Sequence, residues 1–235
     1  MSSIEEAITY PTESDDWIVT VLIGGVLTLL SILIIPAFIV YGYLVRAIRA
    51  NLDGEPEPPT FGDWGELVVD GIKLVVVGFV YMIVPIMVMS VTVGTAVLAI
   101  LSGGEGGAAA GVGTLVVGMF ATFVLALVFG YFAVVGIVNL AREDRFGAAF
   151  DLGTIRSVGL DGEFAVPWLI SVGIFIGIGI VVSVLNIVPG LGALVGAFLN
   201  FYGLIVAANL WADGFLAATE GGDPGGRPGV EETPV

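Results

Sequence analysis

Residues 164–212 read FAVPWLISVGIFIGIGIVVSVLNIVPGLGALVGAFLNFYGLIVAANLWA, and no charged side chain interrupts them. About 20 apolar residues suffice to cross a bilayer core of roughly 30 Å, so this run is long enough to cross twice. N-I-V-P-G at 186–190 supplies the break, because Pro and Gly in succession end a helix and favour a turn. The stretch therefore reads as two spans, 166–188 and 191–212, joined by a tight turn at Pro189. Strands fit less well: barrel strands alternate apolar and polar residues, whereas this run is apolar on every side.

Outward from it, three more charge-free runs follow the same rule, Trp17–Val45, Leu74–Gly104 and Gly106–Ala141. They predict spans at 18–45, 73–101 and 112–140, with Pro36 and Pro85 inside spans as kinks. Composition agrees. The 235-residue chain is 57% hydrophobic and only 12% charged, with mean hydropathy +1.05, while soluble domains carry about a quarter charged residues. The prediction is an all-α integral membrane bundle: an acidic exterior segment at 1–16, five transmembrane helices within 17–216, and a disordered tail at 217–235. The opening MSSIEEAITYPTESDDW has no basic n-region, so the first helix is expected to act as its own insertion signal.

Basic residues orient such a bundle, since Lys and Arg collect on the cytoplasmic side. Arg46, Arg49, Lys73, Arg142, Arg145, Arg156 and Arg227 are all seven in the chain. With five spans they share one side, while 1–16, S-G-G-E-G-G at 102–107 and the turn at Pro189 carry only acids. This places residues 1–16 outside, the C-terminal tail in the cytoplasm, and the protein in the cell membrane as a multi-pass chain.

The spans also echo one another. GYLVRAIRANL at 42–52 and GYFAVVGIVNL at 130–140 share G-Y-x7-N-L, and FYGLIVAANL at 201–210 again sets an aromatic before Asn-Leu. Two explanations fit. One is a parallel internal repeat; the other is Asn used independently as a helix cap at each cytoplasmic exit.

After the first two pairs come Phe-led segments. In P-P-T-F-G-D-W-G-E-L-V-V-D-G-I-K, Thr60 and Asp63 have capping-box spacing, and Phe61, Trp64, Leu67, Val68 and Ile72 share one helical face opposite Asp63, Glu66, Asp70 and Lys73. In R-E-D-R-F-G-A-A-F-D-L, Phe146, Ala149 and Phe150 form the apolar stripe. Both patterns predict short cytoplasmic helices lying in the membrane interface, or helices that lid the bundle.

Catalytic machinery does not emerge from the pattern. The chain has neither Cys nor His, the carboxylates lie in loops and tails without a metal-binding spacing, and no ionisable residue sits within a span as ion coupling usually requires. No cofactor is expected. Small residues recur four apart, at Gly24 with Thr28, Gly113 with Val117, Gly173 with Gly177 and Gly192 with Gly196, and predict close helix packing. Ser90, Thr92, Asn186 and Asn200 are the residues that could line a polar cavity. A net charge of −15 argues against nucleic acid and against a polybasic anchor. Acid-rich and lysine-poor surfaces also suit a high-salt cytoplasm, which suggests a halophilic source.

G-Y-L-V-R at 42–46 with D-G-E-P-E-P-P-T-F-G-D-W-G-E-L-V-V-D-G-I-K at 53–73 resembles an uncharacterised family of polytopic membrane proteins, a domain of unknown function frequent in halophilic archaea. The resemblance implies the helical membrane fold and carries no activity or site residues with it. The functional expectation is a non-enzymatic membrane protein whose cytoplasmic interfacial helices organise membrane lipids or dock a partner, with a second protein or a homo-oligomer as the assemblies to look for. A small transporter or channel component is the alternative.

Overall fold

In hydrocarbon a backbone must satisfy its own polar groups, and a helix does so within one segment. The charge-free runs accordingly fold as helices. The structure is a computed structural model that describes residues 4–220. Eight α-helices follow in order: α1 Ile4–Thr9, α2 Trp17–Leu29, α3 Ile35–Leu52, α4 Trp64–Leu101, α5 Gly104–Glu143, α6 Leu152–Gly159, α7 Gly162–Leu185 and α8 Leu191–Glu220. Tighter 3-10 turns stand at Tyr10–Thr12, Leu30–Leu33 and Phe146–Phe150. The fold is all-α, with no strand among the described residues.

Helices α4, α5, α7 and α8 are long and apolar enough to cross a membrane. A fifth crossing is counted only if Ile4–Thr12 and Trp17–Leu33, which meet at 89°, are taken as one broken span. The 38 residues of α4 would reach about 57 Å, nearly twice a bilayer core. α7 and α8 form the hairpin read from residues 164–212. Its turn closes at Pro189 and Gly190, the latter at φ 83°, where the missing Cβ removes the steric objection. α8 runs eight residues past the predicted end at 212, to Glu220, so only 221–235 of the predicted tail lie outside the described residues.

The predicted first span, 18–45, is corrected. It is two helices, because the chain breaks at Leu30–Leu33 and Ile34 adopts φ 66°, ψ −55°, a conformation hostile to a β-branched residue and incompatible with helix continuation. Pro36 does not kink a helix here. It stands in the first turn of α3, where its fixed φ suits initiation and its missing N–H costs nothing. The break reverses the chain. Gly24 of α2 and Tyr43 of α3 both meet the ring of Phe201 on α8, although 19 residues of straight helix would hold them about 28 Å apart. The tip of this hairpin is bare and apolar, with Ile32 89% exposed.

Because the chain turns back, residues 4–12 do not lie opposite the basic loops, as the five-span order required. Tyr10 is buried beside Asn51 and Glu55, Ala7 packs on Val206 and Leu210, and the Tyr202 hydroxyl donates to the Ile8 carbonyl at 2.6 Å. Burial pushes the Tyr10 phenol well above its ordinary pKa. The acidic segment thus packs against the ends of α3, α7 and α8 that adjoin the basic residues.

Candidate interface at the basic end

Two glycines set the floor of this end. A Cβ on Gly42 of α3 would run into the Leu67 carbonyl, and one on Gly71 of α4 into the Phe38 carbonyl, so the two backbones touch and only hydrogen fits between them. That contact brings the C-terminal half of α3 against the start of α4. Leu67 and Tyr43 are each 1% exposed there. Tyr43 stacks on Phe61 at 4.5 Å and donates its hydroxyl to the Pro59 carbonyl at 2.8 Å. Phe61 also stacks on Trp64 and on Phe201, at 5.8 and 5.9 Å.

Charge is gathered on the same contact. Asp70, with its side chain 5% exposed, holds Lys73 at 2.8 Å and Arg49 at 3.5 Å. Asp144, just past α5, takes the same two cations, Arg49 at 3.2 Å and Lys73 at 3.5 Å. Glu66 meets Arg46 and Arg49, while Arg46 donates to the Gly62 carbonyl at 2.9 Å. A carboxylate removed from water needs such partners to stay charged. The cluster therefore ties α3, α4 and the end of α5 together through ions.

The predicted residues fall into separate groups. Arg46, Arg49 and Lys73 converge on the carboxylates. Arg142 lies over the Phe215 ring at 5.6 Å, joining α5 to α8. Arg145 pairs with Glu143. Arg156 stands exposed on α6 with no ion pair among the described residues. Pro85 is buried within an unbroken α4.

The interfacial helix expected before the second span is also corrected. α4 starts at Trp64 and continues through Lys73 without a break, so no separate short helix exists. The capping box does not form: Asp63 is the N-cap, at φ 45° and without a side-chain bond, and Thr60 lies outside the helix. Trp64 is half-exposed, Val68 half-buried, and Leu67 with Phe61 anchors the segment. Asp70, expected on the solvated face, is buried instead. The paired cations make that possible.

The second Phe-led segment folds as the 3-10 turn Phe146–Phe150 followed by α6, which Asp151 caps by accepting from the Gly153 and Thr154 amides. Phe146 is exposed and meets Phe150 edge-on. Phe150 stacks on Tyr81 at 5.9 Å, and the Tyr81 hydroxyl donates to the Ala149 carbonyl at 2.8 Å. The buried Asn139 amide donates to the Ala148 carbonyl. This segment is bonded onto α4 and α5.

The Asn-Leu echo has a structural use that sequence reasoning missed. Asn51, Asn139 and Asn209 all lie inside helices, so none is a cap. The Asn209 amide donates to the Asn51 side-chain oxygen at 2.6 Å, joining α8 to α3. Of the small-residue pairs, Gly24 packs on Phe201, and Gly192 and Gly196 pack on Asn186 and Val182. Gly113, Gly173 and Gly177 face open space, contrary to the expectation of tight packing there. The suggested polar cavity is dispersed: Thr92 packs on Gly118, Asn186 lies beside Gly192, and Ser90 and Asn200 bond to carbonyls of their own helices. Among the described residues, no three Asp or Glu converge as metal ligands would.

Long apolar helices closed at one end by buried ion pairs, stacked aromatics and short helices define a polytopic membrane protein with one elaborated face. The chain belongs to the family described as "Protein of unknown function (DUF4013)", which it matches over residues 29–187. No curated protein and no solved structure matches it.

Proposed function

We propose that this is a non-enzymatic, multi-pass protein of the cell membrane whose basic end faces the cytoplasm and organises lipid or docks a protein partner. One observation carries the reading. The short helices at that end keep bare apolar side chains, Ile4 and Ile8 on α1, Leu152 on α6 and Leu160 at its C-cap, although each helix already buries its opposite face against the bundle. Water is a costly environment for such a surface, and a membrane interface or a partner is a favourable one. The positive-inside rule supports the orientation, and residues 4–12 then lie on the cytoplasmic side with it. A transporter or channel draws less support, because Ser90, Thr92, Asn186 and Asn200 do not converge on one path and Ser90 and Asn200 are satisfied within their own helices.

Single-cysteine labelling tests the arrangement directly, since the chain has no cysteine of its own. With an impermeant reagent on intact cells, Ser102→Cys should react, while Asp15→Cys and Ser157→Cys should react only after lysis. Reaction of Asp15→Cys or Ser157→Cys from outside would sink the reading. Protection of α6 from protease in open membrane vesicles, lost in the Leu152→Ser, Leu160→Ser double variant, would support the covered surface; equal cleavage of both would oppose it.

A further inference from the structure

We infer that the groove between α6 and the α4–α5 hairpin is a binding site for a membrane phospholipid with an anionic phosphate headgroup, with Arg156 as its headgroup ligand. The inference rests on the membrane reading above and gives it a specific ligand. An open groove of about 600 Å³ runs between Tyr81, Phe129, Phe132 and Ile155, bordered by Leu152, Arg156 and Leu160. A second hollow of about 220 Å³ shares Tyr81, Phe129, Leu152 and Ile155 and adds Val80 and Phe150, so the apolar trough continues along the hairpin.

Three features select a lipid. Phe129, Phe132 and Val80 belong to helices long and apolar enough to span, so the floor is continuous with the hydrocarbon that surrounds them. The groove offers one charge. The Tyr81 hydroxyl is already committed to the Ala149 carbonyl, which leaves the Arg156 guanidinium, free of ion pairs among the described residues, as the group that can take a polar ligand. A planar fork of N–H donors fits phosphate oxygens in pairs.

The face of α6 is the third feature. Leu152, Arg156 and the C-cap Leu160, whose amide still bonds back to the Arg156 carbonyl, stand four residues apart and so share one stripe. The two leucines are 80% and 71% exposed, while Ile155, Val158 and Gly159 bury the other side, Gly159 lying directly on the Phe132 ring. A helix apolar on both sides with one cation between its bare leucines is placed at headgroup depth, where chains cover the leucines and phosphate meets the arginine. The chain's net charge of −15 repels anionic lipid in general, which makes retention at this groove distinguishable from nonspecific adhesion.

The test is native mass spectrometry of the full chain released from mild detergent supplied with equal phosphatidylglycerol and phosphatidylcholine. The parent should retain phosphatidylglycerol over phosphatidylcholine by about tenfold, a ratio corresponding to ~1.4 kcal/mol. Arg156→Gln should bring the ratio to near one, Arg156→Lys should keep most of it, and Arg145→Gln, which removes an exposed cation paired with Glu143, should leave it unchanged. Excess inorganic phosphate should not displace the lipid, because the chains hold it too; displacement would mean a phosphate site without a lipid groove and would overturn the proposal. So would an unchanged ratio in Arg156→Gln, or equal loss in Arg145→Gln. If total lipid retention and the labelling pattern survive while the ratio fails to respond, only this site is refuted; loss of the labelling pattern would instead refute the membrane arrangement beneath it.

Discussion

The contact of α3 with α4 and the far halves of α4 and α5 are made of the same residue types, Val, Ile, Leu, Phe and Gly, yet their environments are opposite. At the first, Ile48, Leu67 and Val77 are buried completely or nearly so, and two backbones touch through Gly42 and Gly71. At the second, Leu98, Val117 and Phe120 are about 70% exposed and Gly113 meets nothing. In a soluble protein the second region would be a gross defect. In a bilayer it is ordinary, because lipid tails solvate it as well as another helix would. What distinguishes the regions is therefore fit: where small residues and a partner helix coincide, packing replaces lipid.

Filling the two packed glycines should have the greatest effect. Gly71→Leu, and Gly42→Leu separately, should prevent stable assembly or lower the melting temperature in detergent by well over 10 °C, because the new side chain would meet backbone that cannot yield. Survival of both variants near the parent melting point would show that the backbones do not touch.

A smaller effect is expected from the charge cluster on the same contact. Asp70→Asn should cost about 2–3 kcal/mol, less than the ~3–5 kcal/mol of a fully buried pair, since Arg49 and Lys73 remain a quarter exposed and keep Asp144. Denaturation by a graded detergent series, read against Glu143→Gln as an exposed control, would measure it. Equal losses in the two variants would remove Asp70 from its central place.

Single hydrogen bonds between helices come next. Asn209→Ala should cost ~0.6–1.7 kcal/mol by loss of the Asn51 contact, and the cost should shrink in an Asn51→Ala background, as a double-mutant cycle would reveal. Additive losses would mean that the two amides do not act together. At the small end, Gly173→Leu and Gly177→Leu face open space and should change stability by no more than about 0.5 kcal/mol. A large loss at either would reveal a neighbour, such as a second copy of the chain, on that face of α7.

Much of this was legible because hydrocarbon imposes a simple rule. Runs without charge had to be helices, and Pro189–Gly190 had to be a turn, since neither inference depends on what the helix packs against. Trp17–Leu52 failed for a specific reason. Its two arms are short, and Ile34 carries no sequence signal for the left-handed φ that reverses it; Pro36 was visible but reads equally as a kink or as a helix start. The segment 60–72 failed differently. Its apolar face was identified, and Leu67 and Phe61 are indeed its anchors, but the continuous α4 depends on Asp70 being acceptable in the interior, and that depends on Arg49 from another helix.

The helical class, the membrane setting, the α7–α8 hairpin and the family are all readable from the chain's order of residues, because span length, hydropathy and motif are properties of contiguous residues. It took the packed helices to show that α2 and α3 fold back on Phe201, that residues 4–12 lie with the basic end, that Asn51 meets Asn209, and that Gly42 and Gly71 are packed while Gly173 and Gly177 are bare. Each of these is a relation between distant residues of ordinary type. An Asn or Gly on an apolar helix can face a partner or lipid at similar local cost, and only the arrival of another helix at that position fixes which one it does.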